Sequence, residues 1–157
     1  MRNESEQDDD PIVIIEKGIA SGEIDRDQVN HARAHWEGQL RDGVVMPNGE
    51  RVIITERILY HVLVREPRIR RKPERIERLL SSVFEVCTAH SGRRAALGEW
   101  QEGASMIYGY AILEADSSLR TAHIGDAKKL RKLARQGDLL WNQEQYPSFG
   151  TAPSETS

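Results

Sequence analysis

The spacing of hydrophobic residues along this chain changes after Ser82. Before that point apolar residues recur every three or four positions, which is typical of amphipathic helices. After it, short runs rich in β-branched and aromatic residues are separated by Ser-Gly, Glu-Gly and Asp-Ser-Ser, all of them turn-forming sequences. The predicted helices span about 24–41, 56–65 and 73–82, and the predicted strands span 83–89, 93–101, 105–114 and 118–124.

Two further segments complete the predicted architecture. In residues 44–54 an Asn-Gly pair separates two β-branched runs, which favours a hairpin. Residues 126–136 form a basic amphipathic helix ended by a glycine, and the apolar residues 139–141 are expected to fold back on it as a latch. Because the links between the four strands are short, neighbouring strands should be antiparallel. The expected fold is α+β, with N-terminal helices, a four-stranded antiparallel meander and a C-terminal basic helix.

The polar ends of the chain set the predicted domain boundaries. Residues 1–10 and 142–157 are rich in acidic residues or in Ser, Pro and Gly, so we expect both to be disordered tails. Between them, residues 11–141 are expected to form one domain, with an acidic helical lead-in over 11–42 and a core over 43–141. The β-branched run at residues 12–15 fits either a strand or a segment that docks the tail.

Charge is divided unequally along the chain. Residues 1–56 hold 6 basic and 13 acidic side chains, whereas residues 57–135 hold 16 basic and 9 acidic ones. The whole-chain net charge of −3 therefore hides a basic segment of net +7 behind an acidic front of net −7. Such a segment is a candidate phosphate-binding surface, and the alternative is an ordinary solvated surface of mixed charge.

Composition also restricts the cellular setting. No apolar run approaches the ~18–20 residues that span a bilayer, and the first residues are acidic, unlike a secretory signal. The single cysteine, Cys87, cannot form an internal disulfide, and its apolar neighbours indicate a buried spectator rather than a nucleophile. We therefore expect a cytoplasmic protein without membrane contact.

The predicted helix over 56–65 carries the first candidate chemical group. Its apolar stripe consists of Ile58, Leu59, Val62 and Leu63. Arg57, His61 and Arg65 share one flank of that stripe, since they are four residues apart. Neighbouring guanidiniums should lower the pKa of His61 and keep it neutral near pH 7, as a general base requires.

The last predicted strand carries the second candidate group. Strand alternation places Thr121 and His123 on one face and Arg120 on the other, with Lys128 on the basic helix that follows. Two histidines and phosphate-binding cations are what RNA cleavage without a metal needs. Each histidine can equally be a hydrogen-bonded structural residue. The pair His31 and His35 can be a zinc pair or a polar helix face, and no third ligand accompanies it.

The order of these motifs resembles a known superfamily. An Ile-Ile-Thr strand end, the helix TERILYHVLVREP, the helix PERIERLL, a meander, a strand with Arg-Thr-Ala-His and a Lys-rich helix follow one another over about residues 50–141. This arrangement looks like the barnase/EndoU/colicin/RelE-like ribonuclease superfamily, particularly its phage- and prophage-associated branches. The resemblance implies a nuclease-like core over 43–141 and a metal-independent endoribonuclease without a cofactor.

The resemblance also implies site residues and partners. The superfamily's active-site positions match His61, Arg65, Thr121 and His123. Arg57, Arg120 and Lys128 are candidate substrate-binding cations from their own places on the helix flank, the last strand and the basic helix. Members usually carry a second histidine where this chain has Glu66, so Glu66 is an alternative base, or the chain is a degenerate copy. A protein that cleaves cellular RNA would be toxic, and its partner would be an antitoxin or immunity protein.

Two non-enzymatic hypotheses stand beside the ribonuclease. The first is a regulator that grips nucleic acid or an acidic protein with the basic helices. The second is a structural accessory protein whose divided charge drives self-association. The acidic segment 1–42 would in the ribonuclease case shield the basic segment of the same chain.

Overall fold

The computed structural model describes residues 10–150, which form an α+β arrangement of six helices and two antiparallel sheets. The helices are α1 (Pro11–Ser21), α2 (Arg26–His35), α3 (Glu56–Arg65), α4 (Pro67–Arg70), α5 (Arg75–Ser81) and α6 (Ala127–Gln136). The strands are β1 (Val44–Val45), β2 (Arg51–Val52), β3 (Val83–Thr88), β4 (Arg94–Glu102), β5 (Ser105–Leu113), β6 (Leu119–Gly125) and β7 (Leu139–Asn142). The last turn of α2 continues as a wider turn over Trp36–Leu40.

Side-chain caps begin the helices that matter for the site. Thr55 Oγ1 accepts the N–H of Ile58 at 3.2 Å and starts α3. Asp126 Oδ1 accepts the N–H of Lys129 at 2.8 Å and starts α6. Glu66 ends α3 and at once caps α4, whose first residue is a proline. The chain therefore turns sharply at Glu66.

The larger sheet has five strands in the order β6-β5-β4-β3-β7, and all neighbours are antiparallel. The four-stranded expectation is corrected here, because the segment expected to form an apolar latch is the strand β7, which pairs with β3. The basic helix α6 is therefore followed by a strand and is not the last element. The hairpin β1–β2 forms a separate two-stranded sheet, as its Asn-Gly turn indicates.

The two faces of the five-stranded sheet are covered by different parts of the chain. Helices α1–α5 contribute to one buried cluster with Val83, Ala96 and Leu113 of the sheet. Helix α6 lies on the other face, where Leu130 joins a second buried cluster with Phe84, Cys87, Ala95 and Leu97. Helix α3 contacts the edge strand β6, and this contact positions the candidate site.

The chain ends also differ from expectation within the described residues. The run at residues 12–15 belongs to a helix, because Asp10 caps it and Pro11 occupies its first position. Residues 142–150, expected to be tail, make defined contacts: the ring centroids of Tyr146 and Phe149 lie 4.7 and 5.2 Å from that of Phe84. Residues 1–9 and 151–157 of the expected tails lie outside the described residues.

Within residues 10–150, none of the helices is both long enough and apolar enough to cross a bilayer.

Candidate functional site

The candidate site is built around a bulge in the edge strand β6. Ile112 of β5 pairs with Thr121, but the next residue, Leu113, pairs with Leu119, so Arg120 is an extra residue on β6. Leu119 and Ala122 are both buried against the core, and the Arg120 side chain is 50% exposed. Because of the bulge, Arg120 lies along the open edge of the sheet and does not share the buried face of Ala122, as strict alternation would have it.

His61 lies in a small groove on one side of Arg120. The groove has a volume of about 210 Å³ and is lined by Pro11, Arg57, Ile58, His61, Glu114 and Arg120. Burial and the positive charges of Arg65, Arg120, His123 and Arg57, in that order, lower the pKa of His61 below 6.5. Its imidazole is therefore mostly neutral at pH 7, which is the protonation state expected from the sequence.

His123 lies on the other side of the edge, on the sheet face that α6 covers. Its Nε2 is 3.1 Å from Thr121 Oγ1, and its Nδ1 is 3.7 Å from Oε1 of Glu66. Its ring lies over Tyr110, with centroids 5.2 Å apart. Both ring nitrogens therefore face a polar side chain, and the orientation of the ring is fixed.

The pKa of His123 is set by opposing effects. Burial lowers it, the charge and hydrogen-bonding capacity of Glu66 raise it, and the positive charges of Arg65 and Lys129 lower it again. The net result is a pKa below 6.5. Arg65 lowers the pKa of both histidines, and His123 also lowers that of His61, so these three side chains act on one another electrostatically.

Glu66 connects the turn after α3 to β6. Its side chain is 4% exposed, and it accepts hydrogen bonds from Arg68 Nε at 2.7 Å and from the N–H of Ile124 at 3.2 Å. Burial alone would raise its pKa, but the hydrogen bonds from Arg68 and Ile124 outweigh it, so the pKa of Glu66 is lowered. Glu66 is thus an ionised, buried carboxylate beside His123.

A larger cleft opens on the α6 side of Arg120, with a volume of about 680 Å³. It is lined by Thr88, Ala89, His90, Ser91, Arg93, Ala95, Ile112, Arg120, Thr121, Leu133 and Gln136. Arg120 lines both this cleft and the His61 groove, and is the residue that joins them. Neither His61 nor His123 lines the cleft.

The structure brings most of the predicted site residues to the β6 edge. The groove is shared by His61, Arg57 and Arg120, and the cleft by Thr121 and Arg120. The positive charge of Arg65 lowers the pKa of both histidines. Lys128 is exposed and lines neither depression. Its neighbour Lys129 is the α6 lysine beside the site, with Nζ 5.8 Å from the ring centroid of Tyr110.

Two residues of this region were not anticipated from the sequence. Glu114 accepts a hydrogen bond from Arg93 at 3.1 Å and from Arg120 at 3.3 Å, and so holds the two guanidiniums together. The position of Glu114 at the end of β5, opposite the predicted start of β6, was the available signal. Arg93 lies in the turn between β3 and β4, and no pattern in the sequence singles it out.

The basic segment exposes less unpaired positive charge than its net charge implies, because many of its cations form ion pairs with carboxylates. Arg94 makes two hydrogen bonds to Glu50 at 2.6 and 2.7 Å, and Arg75 makes two to Glu102 at 2.8 and 3.0 Å. The hydrogen bonds from Arg75 lower the pKa of Glu102 to about 2. Exposed cations of the segment include Arg65, Arg71, Arg78 and the lysines of α6, whereas Arg120 is paired with Glu114.

The remaining candidate groups have structural surroundings. His35 Nε2 lies 2.7 Å from Glu77 and His31 Nε2 lies 3.4 Å from Glu74, so each histidine of the pair meets a separate carboxylate. In the part of the chain that the structure describes, no three His, Cys, Asp or Glu side chains are grouped to hold a metal ion. Cys87 is buried, and burial raises its pKa to about 11.

Comparison with known proteins finds no match to a family model, to a curated protein or to a solved structure. The likeness to the ribonuclease superfamily therefore rests on the motifs of the sequence alone.

Proposed function

We propose that this chain is a metal-independent endoribonuclease-like domain that cleaves RNA at the β6 edge. The observation that carries the proposal is that His61 shares a groove with Arg120 and is close enough to Arg65 and His123 for their charges to lower its pKa. Two histidines and neighbouring guanidiniums are the groups that transesterification of RNA requires.

In the proposed reaction Arg120 binds the scissile phosphate. His61 takes the proton of the 2′-hydroxyl, and the 2′-oxygen attacks phosphorus. The bond from phosphorus to the 5′-oxygen breaks, and the leaving oxygen takes a proton from His123. The products are a 2′,3′-cyclic phosphate and a free 5′-hydroxyl, and one proton has moved from one histidine to the other.

The electrostatics favour this division of roles. Burial, and after it the positive charges nearby, keep His61 neutral, so it suits the base. Burial lowers the pKa of His123, but the ionised Glu66 beside it offsets part of that lowering, so of the two histidines His123 is assigned the acid. Thr121 and Glu66 are positioning residues in this scheme, since one contacts each nitrogen of His123. Glu66 is a poor base itself because Arg68 and Ile124 occupy its oxygens.

The second candidate is a non-catalytic regulator that binds nucleic acid or an acidic protein. The observation that favours it is that both nitrogens of His123 already face protein groups, as in a histidine that only stabilises the fold. A toxin of phage or prophage origin, acting in the cytoplasm and controlled by an antitoxin or immunity protein, belongs to the first candidate and is part of that proposal.

The experiment that separates the two candidates is incubation with total RNA in EDTA. The proteins are the wild type, His61→Ala and His123→Ala, with His31→Ala as a matched control, because His31 is exposed on α2 and lines neither depression. The ribonuclease predicts cyclic-phosphate products from the wild type and the control, and a loss of at least a hundredfold in the other two. Salt-sensitive RNA binding without cleavage by any of the four proteins would instead favour the regulator.

A further inference from the structure

The larger cleft has an apolar floor made by three neighbouring strands. Ala95 of β4 pairs with Ile112 of β5, and Ile112 pairs with Thr121 of β6, so the three residues form one row across the sheet. All three line the cleft, and Leu133 of α6 lines it as well. Ala95 is almost completely buried, so the accessible apolar surface of the cleft is that of Ile112 and Leu133, which are both partly exposed.

The rim of the same cleft is positively charged. Arg93 and Arg120 both line it and both donate to Glu114, so two guanidiniums share one carboxylate and leave a net charge of +1. The side chain of Arg120 is half exposed and that of Arg93 is 29% exposed. Their remaining N–H groups can therefore donate to an anion at the mouth of the cleft.

We propose that this cleft binds one nucleotide of an RNA chain, with the base against Ile112 and Leu133 and its phosphate on Arg93 and Arg120. The inference rests on the proposed function and adds to it the subsite that holds the substrate. A volume of about 680 Å³ lies within the range of small-ligand sites and accommodates a nucleoside monophosphate.

The place of Arg120 links this subsite to the proposed chemistry. Because Arg120 lines both the cleft and the His61 groove, a phosphate bound to it lies between a base in the cleft and the imidazole of His61. An apolar ligand would not bind the two guanidiniums, and a free phosphate would not contact the apolar row. A nucleotide uses both.

The test is NMR titration of the full chain with AMP, GMP, CMP and UMP, and separately with ribose 5-phosphate. We expect amide shifts at Ala95, Ile112 and Leu133, and binding of at least one nucleotide about tenfold tighter than ribose 5-phosphate, because only the nucleotide carries a base. In Leu133→Asp, nucleotide binding should weaken at least tenfold. The control Leu140→Asp makes the same change of charge at an exposed site on β7 and should bind as the wild type does.

Arg93→Gln is a second variant in case Leu133→Asp does not fold, and it should weaken nucleotides and ribose 5-phosphate alike. Equal affinity of the wild type for ribose 5-phosphate and every nucleotide, or shifts confined to residues outside the cleft, would overturn the subsite. Nucleotide binding by a wild type that cleaves no RNA would retain the subsite and remove the proposed reaction. RNA cleavage by a wild type that binds no nucleotide in the cleft would remove the subsite alone.

Discussion

The Nδ1 atom of His123 lies 3.7 Å from Oε1 of Glu66, a carboxylate that is almost completely buried. The same carboxylate accepts a backbone hydrogen bond from Ile124, the residue that follows His123. Glu66 thus fixes both the strand and the ring. Glu66, which the sequence offers as an alternative base, therefore lies in the structure beside His123.

Glu66→Gln is expected to lower the free energy of unfolding by about 1.5–3 kcal/mol at pH 7, because charge-assisted hydrogen bonds become ordinary ones. Since the folded pKa of Glu66 is below its usual 4.5, its stabilising effect is complete above pH 4.5 and is lost as the pH falls. Urea unfolding at several pH values measures this, with the exposed Glu144→Gln as control. A difference from the wild type that grows below pH 4.5 would contradict it.

The pH dependence of RNA cleavage follows from the two histidines. The reaction needs His61 neutral and His123 protonated, and both pKa values lie below 6.5. We therefore expect kcat/KM to be highest on the acid side of pH 6.5 and to fall about tenfold per pH unit well above it. In Glu66→Gln the alkaline limb should move to lower pH, because Glu66 raises the pKa of His123. A rate that still rises at pH 8 would exclude these roles.

Arg120→Ala should weaken the binding of single-stranded RNA about tenfold and reduce the slope of log affinity against log salt by about 0.7, because one phosphate contact is lost. The side chain is half exposed on an edge strand, so the free energy of unfolding should change by no more than about 0.5 kcal/mol. Filter binding at several salt concentrations measures the slope. Arg71→Ala removes an exposed arginine of the same basic segment and should have a smaller effect; equal effects would indicate a diffuse surface.

Cys87 should be unreactive in the folded protein. Its thiol is buried and its pKa is raised to about 11, so little thiolate exists at pH 8 and reagents cannot reach it. Labelling with a chromogenic disulfide should be at least a hundredfold slower in native buffer than in urea, where the unfolded chain is the reference. Rapid native labelling would show that the face covered by α6 opens readily.

Phe149→Ala tests whether residues 143–150 belong to the fold. The Phe149 ring meets Phe84 edge to face, and its N–H donates to the buried Glu85 at 2.6 Å. Loss of the ring should lower the free energy of unfolding by about 1–2 kcal/mol. Leu140→Ala, at an exposed side chain of β7, should change it by less than about 0.5 kcal/mol. Thermal melts of both variants compare them, and equal stabilities would place the segment outside the cooperative fold.

The meander could be predicted because its four strands carry strong local signals and lie next to one another in sequence. Strand β7 could not be predicted. It is only four residues long, too short to show a hydrophobic period, and its partner β3 is about 50 residues earlier in the chain. The helix α1 was obscured by a β-branched run, whose preference was overridden by the Asp10 cap and by packing on α3.

Neighbouring side chains of the candidate site could be predicted where both belong to the same helix or strand. Helical spacing placed His61 beside Arg57, and strand alternation placed Thr121 beside His123. It failed for Arg120, because the bulge in β6 removes the strict alternation. The partners of Glu66 and Glu114 depend on which turns meet in space, and no local pattern contains that information.

The bulge at Arg120 has a consequence for the solution behaviour of the protein. Among the described residues β6 is the outermost strand on its side of the sheet, and Ile53, Glu66 and Arg68 occupy backbone groups at its two ends. The stretch between those ends offers a template for another copy of the chain. An extra residue with an exposed, charged side chain interrupts that template near the start of the strand, at its second residue. The feature that brings a guanidinium to the two depressions therefore also protects the protein against edge-to-edge aggregation.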